Sequence, residues 1–326
     1  MIDAEDILRA ARKGWAIPSG ATASLINISE NLTYRLEAPG WRRILRVHRP
    51  GYHTRTGIES ELAWLDAVRE QTGLSTVSAL PGRDGLAVRE AHLDTPRHLV
   101  LFGHLDGRHV APGEPMAPMF RRLGEQTARL HRHAKGWTRP GWFERFAWDE
   151  AAVFGRAATW GDWRAAPGVT PDIRALLERV ERTITRRLAA YGKGADRYGL
   201  IHADLRLANV LVDGDTLHLI DFDDCGFGWF GYDFAAAISF MEDDPQIPAL
   251  RAAWVAGYRE AGALGESDLA MLDTFVMLRR MALLAWIGSH MESTEPQALA
   301  PHFAHGTARL GARYLGDEAE ITALVQ

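Results

Sequence analysis

The chain has 326 residues, 47% of them apolar, enough for a large core and about two domains or lobes. Its 37 basic and 42 acidic residues are interspersed and leave a net charge of −5, which argues against nucleic acid or an anionic membrane as the main partner. One cysteine, Cys225, excludes a disulfide framework and a four-thiolate metal site within one chain.

The opening "MIDAEDILRAARKGW" has charges where a signal peptide needs an apolar stretch. Residues 1–20 read as a short helix and a turn ending at "PSG". Three strands follow, "ATASLINI", "LTYRLEA" and "RRILRVHR", separated by turns at "SEN" and "PGW". In "TRTGIESELAWLDAVREQTG", Ile58, Leu62, Leu65 and Val68 recur at helical spacing, with Thr56 and Glu59 as a capping box and Gly73 as the stop. "LAVREA" and "HLVLFGHL" add two strands, which completes a small lobe over 1–103, and "DGRHVAPGEP" reads as a linker. The remainder, 104–326, reads as mainly helical from "MFRRLGEQTARLHRHA" onward, broken by the strands flanking "DGD" at 213–215. "FVMLRRMALLAWIG" holds Arg279 and Arg280 in its middle, which argues against a membrane span, so the expected location is the cytoplasm.

Polar groups placed beside a core need partners, and "GLIHADLRLANVLV" sets His202, Asp204 and Asn209 between two apolar runs. The order His202-x-Asp204-Leu205-x-x-x-Asn209 matches the catalytic-loop pattern of protein kinases. A strand, a turn, a second strand and then Asp221 of "LIDFDD" come next. Phosphoryl transfer needs a carboxylate to take the acceptor's hydroxyl proton and oxygen ligands for Mg²⁺ on the nucleotide phosphates. Asp204, with His202, is the candidate for the first task, and Asn209 and Asp221 for the second. Asp223 is a candidate for metal or acceptor, with a solvated acidic turn as the plain alternative. For the whole stretch the alternative is a polar hairpin in which His202 and Asp204 cap backbone groups.

These segments, with "LGEQTARLH", "ILRVHRP" and the late "LRRMALLAW", resemble the aminoglycoside phosphotransferase/choline kinase superfamily, and most the branch of stress response kinase A and homoserine-kinase-like proteins. The resemblance implies an α+β, two-lobed protein-kinase-like fold: a small five-stranded antiparallel-sheet lobe and a larger, mainly helical lobe. It implies ATP and Mg²⁺ as cofactors, Asp204 as base, and Asp233 of "GYDFA" as the helix-start residue that ties down the catalytic loop. On the third strand, where such folds carry a Lys for the phosphates, stands Arg46, with Ile44 two before it for the adenine. Arg is no equivalent of Lys, although its planar fork also grips phosphate. Glu61 is the expected partner of Arg46, because it sits at the edge of the apolar helical face. Ser29 and Asn31 in "ISENLTY" are candidate phosphate donors in place of a Gly-rich loop, and the hinge for the adenine edge runs from Phe102 to Leu105.

The expected activity is transfer of the γ-phosphate to a hydroxyl of a small-molecule acceptor. Candidate acceptor contacts are Asp224, Arg206, Trp229, Tyr232, Arg279, Trp286 and His290, and "MEDDP" at 241–245 suits a cationic acceptor. A Ser/Thr protein kinase of the stress-response type uses the same residues, and a nucleotide-binding pseudokinase has Arg46 as its only support. The histidines show no zinc-ligand spacing.

Overall fold

The computed structural model describes residues 2–28, 31–111 and 114–317. Along the chain, α1 (Ala4–Gly14) precedes β1 (Thr22–Ile28), β2 (Leu32–Ala38) and β3 (Trp41–Val47). Next come α2 (Arg55–Thr72), β4 (Ser75–Thr76), β5 (Val88–His92) and β6 (Pro96–Gly103). Helices α3 (Ala117–Gly136), α4 (Glu150–Phe154) and α5 (Pro171–Tyr191) lead to β7 (Tyr198–Ile201), β8 (Val210–Asp213), β9 (Thr216–Leu219) and β10 (Gly226–Trp229). The chain then runs through α6 (Tyr232–Ala237), α7 (Ile247–Ala261), α8 (Glu266–Leu269), α9 (Leu272–Ser289) and α10 (Thr294–Leu315). It divides into two compact units, the first of Met1–Arg108, Thr138–Arg145 and Leu211–Asp223, the second of the rest.

The first unit is built on an antiparallel five-stranded sheet ordered β1-β2-β3-β6-β5. Period-two alternation sorts its faces. Leu45 and Val47 of β3 and Leu99 and Leu101 of β6 join Tyr34 and Leu36 in a core with Ile7, Leu8 and Ala11 of α1. Full burial of a side chain such as Ile7 is worth roughly 1.5–3 kcal/mol, so α1 is held by its apolar stripe. On the other face lie Ile44 and Arg46, whose register partners are Phe102 and Val100. Helix α2 stops at Gly73 in the left-handed region, as its sequence predicts, but its N-cap is Thr54, whose side chain accepts the Gly57 N–H at 2.9 Å. The Thr56/Glu59 capping box therefore does not form; the helix has already begun at Arg55. A second sheet, β4-β9-β8, places β9 parallel to β4 and antiparallel to its hairpin partner β8.

The second unit is mainly helical, and strands β7 and β10 pair antiparallel inside it. Strand β10 adds to the two strands expected around the "DGD" turn. Its "GFGW" looks like a turn in sequence, yet a Cβ at Gly226 would strike the Phe146 carbonyl and one at Gly228 the Ile201 side chain. Those glycines are there for close approach. Helix α9 is buried nearly all round, Arg279 and Arg280 included, and packs against α5, α6 and α10. It is a central core helix. Among the described residues no helix is long and apolar enough to cross a membrane.

Candidate active site

In the second unit, β7 ends at Ile201 and the chain turns through Ala203, a non-glycine residue with φ 68°. Such a backbone is costly unless fixed from outside. Asp233, fully buried in the first turn of α6, supplies the fixing: its carboxylate accepts the N–H of His202 at 3.1 Å and of Ala203 at 2.7 Å. The same carboxylate meets His131 Nε2 at 2.9 Å, and His131 Nδ1 lies 3.0 Å from the Tyr258 hydroxyl. Burial, opposed by Asp233, holds the His131 pKa below its ordinary value. His202 is itself wholly buried, its Nδ1 accepting the Asp204 N–H at 3.4 Å.

The loop delivers the Asp204 carboxylate into a grip on both oxygens. Arg279 Nη2 donates to Oδ1 at 2.5 Å, Asn209 Nδ2 donates to Oδ2 at 2.7 Å, and Arg206 Nε stands 3.5 Å from Oδ2. Asn209 Nδ2 also donates to the Asp204 carbonyl at 2.8 Å, so the amide nitrogen is committed to Asp204 and the other end of the group is an oxygen. Burial opposes the charge of Arg279, but Tyr232 and Asp204 hold its pKa above the usual arginine range.

In the first unit a second cluster forms around Arg46, 6% exposed. Nη1 donates to both oxygens of the fully buried Glu61, at 2.7 and 3.0 Å, and to Asp223 at 3.3 Å; Nη2 donates to Asp221 at 2.9 Å. Burial works against the Arg46 charge and the three carboxylates more than restore it, with Glu61 the largest contributor. Burial also pushes Glu61 up, with Arg46 pulling the other way. Asp221 has a left-handed backbone, φ 61°, and a side chain 38% exposed, whereas that of Asp223 is 7% exposed. Burial works to raise the Asp223 pKa, but His53 at 3.2 Å and Arg46 hold it well below the usual carboxylate range.

The structure thus brings Asp204, His202 and Asn209 together in one unit, and Arg46, Glu61, Asp221 and Asp223 together in the other. Asn31 joins the second cluster, donating to Asp223 Oδ2 at 2.7 Å and accepting the Arg49 N–H at 3.0 Å. Ser29 lies outside the described residues. Ile44 is half-buried beside Phe102, whose ring lies 5.0 Å beneath the Arg46 guanidinium. Phe102 belongs to β6 and the Gly103 N–H donates to the Ser78 carbonyl, so within the expected hinge only His104 and Leu105 lie past the strand.

Of the acceptor candidates, Trp229 is core: fully buried, ring-stacked on Phe275, its N–H given to the Gly192 carbonyl. Trp286 and His290 stack on one another at 5.5 Å, and the Asp224 carbonyl accepts from Trp148 Nε1 at 2.7 Å. Two contributors are not among the candidates read from the sequence. Arg145 reaches the carbonyls of Gly57 (at 3.0 Å) and Asp223 from a distant segment. His131 is marked by its place on the buried stripe of α3, four residues from Thr127, and by closing the segment "LGEQTARLH".

The fold is that of protein-kinase-like phosphotransferases, and the chain is a kinase. It belongs to the phosphotransferase enzyme family, whose model matches residues 23–269. Its structure is similar to a microcompartment-associated aminopropanol kinase, with 45% identity and a TM-score of 0.88 over 95% of this chain and 97% of that one. An amicoumacin kinase in complex with AMP-PNP, Ca²⁺ and Ami superposes with a TM-score of 0.77 at 21% identity, over 94% of this chain and 93% of that one. In sequence, an uncharacterized protein of Deinococcus radiodurans is 30% identical over 293 residues, 87% of this chain and 82% of its own.

Proposed function

We propose that the chain transfers the γ-phosphate of ATP to a hydroxyl of a small-molecule acceptor, and that this acceptor is a small amino alcohol. The observation that carries the reading is Asp204, a carboxylate held on both oxygens at the head of a loop that Asp233 pins in a strained turn. A carboxylate so fixed can take the acceptor's hydroxyl proton as the bond to phosphorus forms. His202 and Asp233 shape the loop and act as positioning residues.

Asn209 and Asp221 supply an amide and a carboxylate oxygen, the hard donors that suit Mg²⁺. When bound, the ion neutralises charge on the nucleotide phosphates. Arg46 offers phosphate oxygens the nitrogen that meets Asp221, while Glu61 keeps the guanidinium in place. Ile44 flanks the adenine and the backbone of His104–Leu105 meets its edge. Asp223 holds Arg46, Asn31 and His53 together, and its part is to order the nucleotide side. The 45% identity to the aminopropanol kinase supports an amino alcohol over a protein acceptor.

The test incubates the protein with γ-labelled ATP, Mg²⁺ and either aminopropanol or a protein fraction, beside Asp204→Asn. Transfer to aminopropanol is expected for the wild type. The variant should keep nucleotide binding and lose transfer by about 10³-fold, the scale of a lost base. Unimpaired transfer in Asp204→Asn removes the base assignment, and label in protein alone removes the acceptor class.

A further inference from the structure

Among the described residues, three non-glycine residues adopt a left-handed backbone: Ala203, Asp221 and Phe240, with φ 68°, 61° and 70°. The first two adjoin or are candidate reacting groups. Phe240 belongs to no motif. It lies two residues past Ile238, the C-cap of α6, in a turn closed by the Met241 N–H on the Ile238 carbonyl, where a left-handed backbone suits glycine and strains a phenylalanine. Strain at such a position points to a task for the side chain.

The neighbours of this turn show the task. Arg206 stands over the Phe240 ring, 5.9 Å from its centroid, and the ring packs on Trp286 and Phe303 at 6.2 and 6.0 Å. Arg206 is one of the two arginines at Asp204 and also donates to Glu295 at 2.8 Å. The preceding residue, Ser239, accepts Arg279 Nε at 3.2 Å, and its own hydroxyl points to the Ala235 carbonyl at 3.5 Å. Arg279 is the other arginine at Asp204. Two consecutive residues of one strained turn therefore address the two guanidiniums that meet opposite oxygens of one carboxylate.

We propose that Phe240 is a positioning residue for phosphoryl transfer, its ring seating Arg206 while Ser239 seats Arg279, so that the turn after α6 sets the orientation of Asp204. The inference rests on the reading of Asp204 as base. Orientation of a reacting group affects the chemical step far more than the affinity for nucleotide.

The experiment measures aminopropanol phosphorylation by Phe240→Leu, Phe240→Tyr and Phe240→Gly, alone and in the Arg206→Met background. For Phe240→Leu, kcat is expected to fall about tenfold with the KM for ATP within about twofold, and Phe240→Tyr is expected to restore it. Phe240→Gly relieves the backbone, so it should melt no lower than Phe240→Leu and still lose kcat. In Arg206→Met, Phe240→Leu should add little, because its intermediary is gone. Full kcat in Phe240→Leu, or losses that simply add, overturns the proposal. A wild type that phosphorylates nothing defeats the functional reading instead. In that case a crystal structure of Phe240→Gly still decides: displaced Arg206 and Arg279 support the turn's role, and unmoved ones end it.

Discussion

Arg46 shares one charge among three carboxylates, and the geometry uses the planar fork of the guanidinium: one nitrogen serves Glu61 and Asp223, the other Asp221. A lysine in its place keeps the charge but presents a single ammonium that cannot span Glu61 and Asp221. Arg46→Lys is therefore expected to fold and to raise the KM for ATP by about tenfold, a loss of about 1.4 kcal/mol. Arg46→Met is a different experiment. It strands Glu61, 0% exposed, without the cation that meets both its oxygens, and takes from Asp223, 5% exposed, one of the partners that hold it. Breaking a buried pair in this way costs about 3–5 kcal/mol, a melting-temperature drop on the order of 10 °C. Scanning calorimetry separates the two variants. An Arg46→Met protein as stable as the wild type would mean that the cluster is solvated in solution, and the case for Arg46 as a phosphate clamp would weaken with it.

The helices α3 and α7 meet through glycines on both partners. A Cβ at Gly124 would strike the Trp254 carbonyl, and one at Gly257 the Arg121 carbonyl, so each helix presses its backbone against the other. A backbone carbonyl in a helix cannot step aside as a side-chain tip can. Gly124→Ala is expected to cost roughly 1–3 kcal/mol, the range for overpacking, even though alanine is the better helix former. A denaturant titration followed by circular dichroism checks this, and a gain in stability would show that the helices separate freely. Nothing in "RRLGEQT" marks the glycine, because its reason sits 130 residues away in Trp254. The same divide separates what else could be read from what could not. Helix α2 is legible from Ile58, Leu62, Leu65 and Val68, and the meeting of Arg46 with Glu61 from the family resemblance, with the helical period choosing Glu61. Asp204 and Asn209 are legible because only four residues of loop separate them. The N-cap is not, since Thr54 and Thr56 both precede the apolar stripe and only backbone geometry chooses between them. Strand β4, two residues pairing with a strand some 140 positions on, leaves no pattern to detect, and neither does Arg145.

At the scale of the molecule, the first unit is assembled from three separated stretches of chain. Strand β9, the middle of the β4-β9-β8 sheet, arrives only at residue 216. Arg108 and Val212 exchange both backbone hydrogen bonds, at 3.0 and 2.8 Å, and Ser75 Oγ meets His218 Nδ1 at 2.6 Å. Trp64 of α2 packs edge-on to Phe222, 5.7 Å between centroids, and Asn31 and Arg46 draw on Asp223. A chain ending at 103, the boundary that the strand count suggests, keeps the five-stranded sheet but loses every one of these partners. It leaves the β4 backbone unpaired and Trp64 without Phe222. Closing a loop of about a hundred residues costs only slightly more than closing a short one, since the penalty grows as the logarithm of length. The intact chain can therefore recruit residues 211–223 at small entropic expense, while the fragment has no substitute for them. Residues 1–103 alone are expected to show strand signal in circular dichroism without a cooperative thermal transition, and to bind a dye that reports exposed apolar surface. Adding residues 104–108 and 211–223 through a short flexible linker is expected to recover part of the cooperativity, because the β4–β9 pairing and the Arg46 carboxylates return together. Cooperative melting of 1–103 by itself would place the folding boundary at the end of β6 and reduce the later stretches to attachments on a lobe already complete.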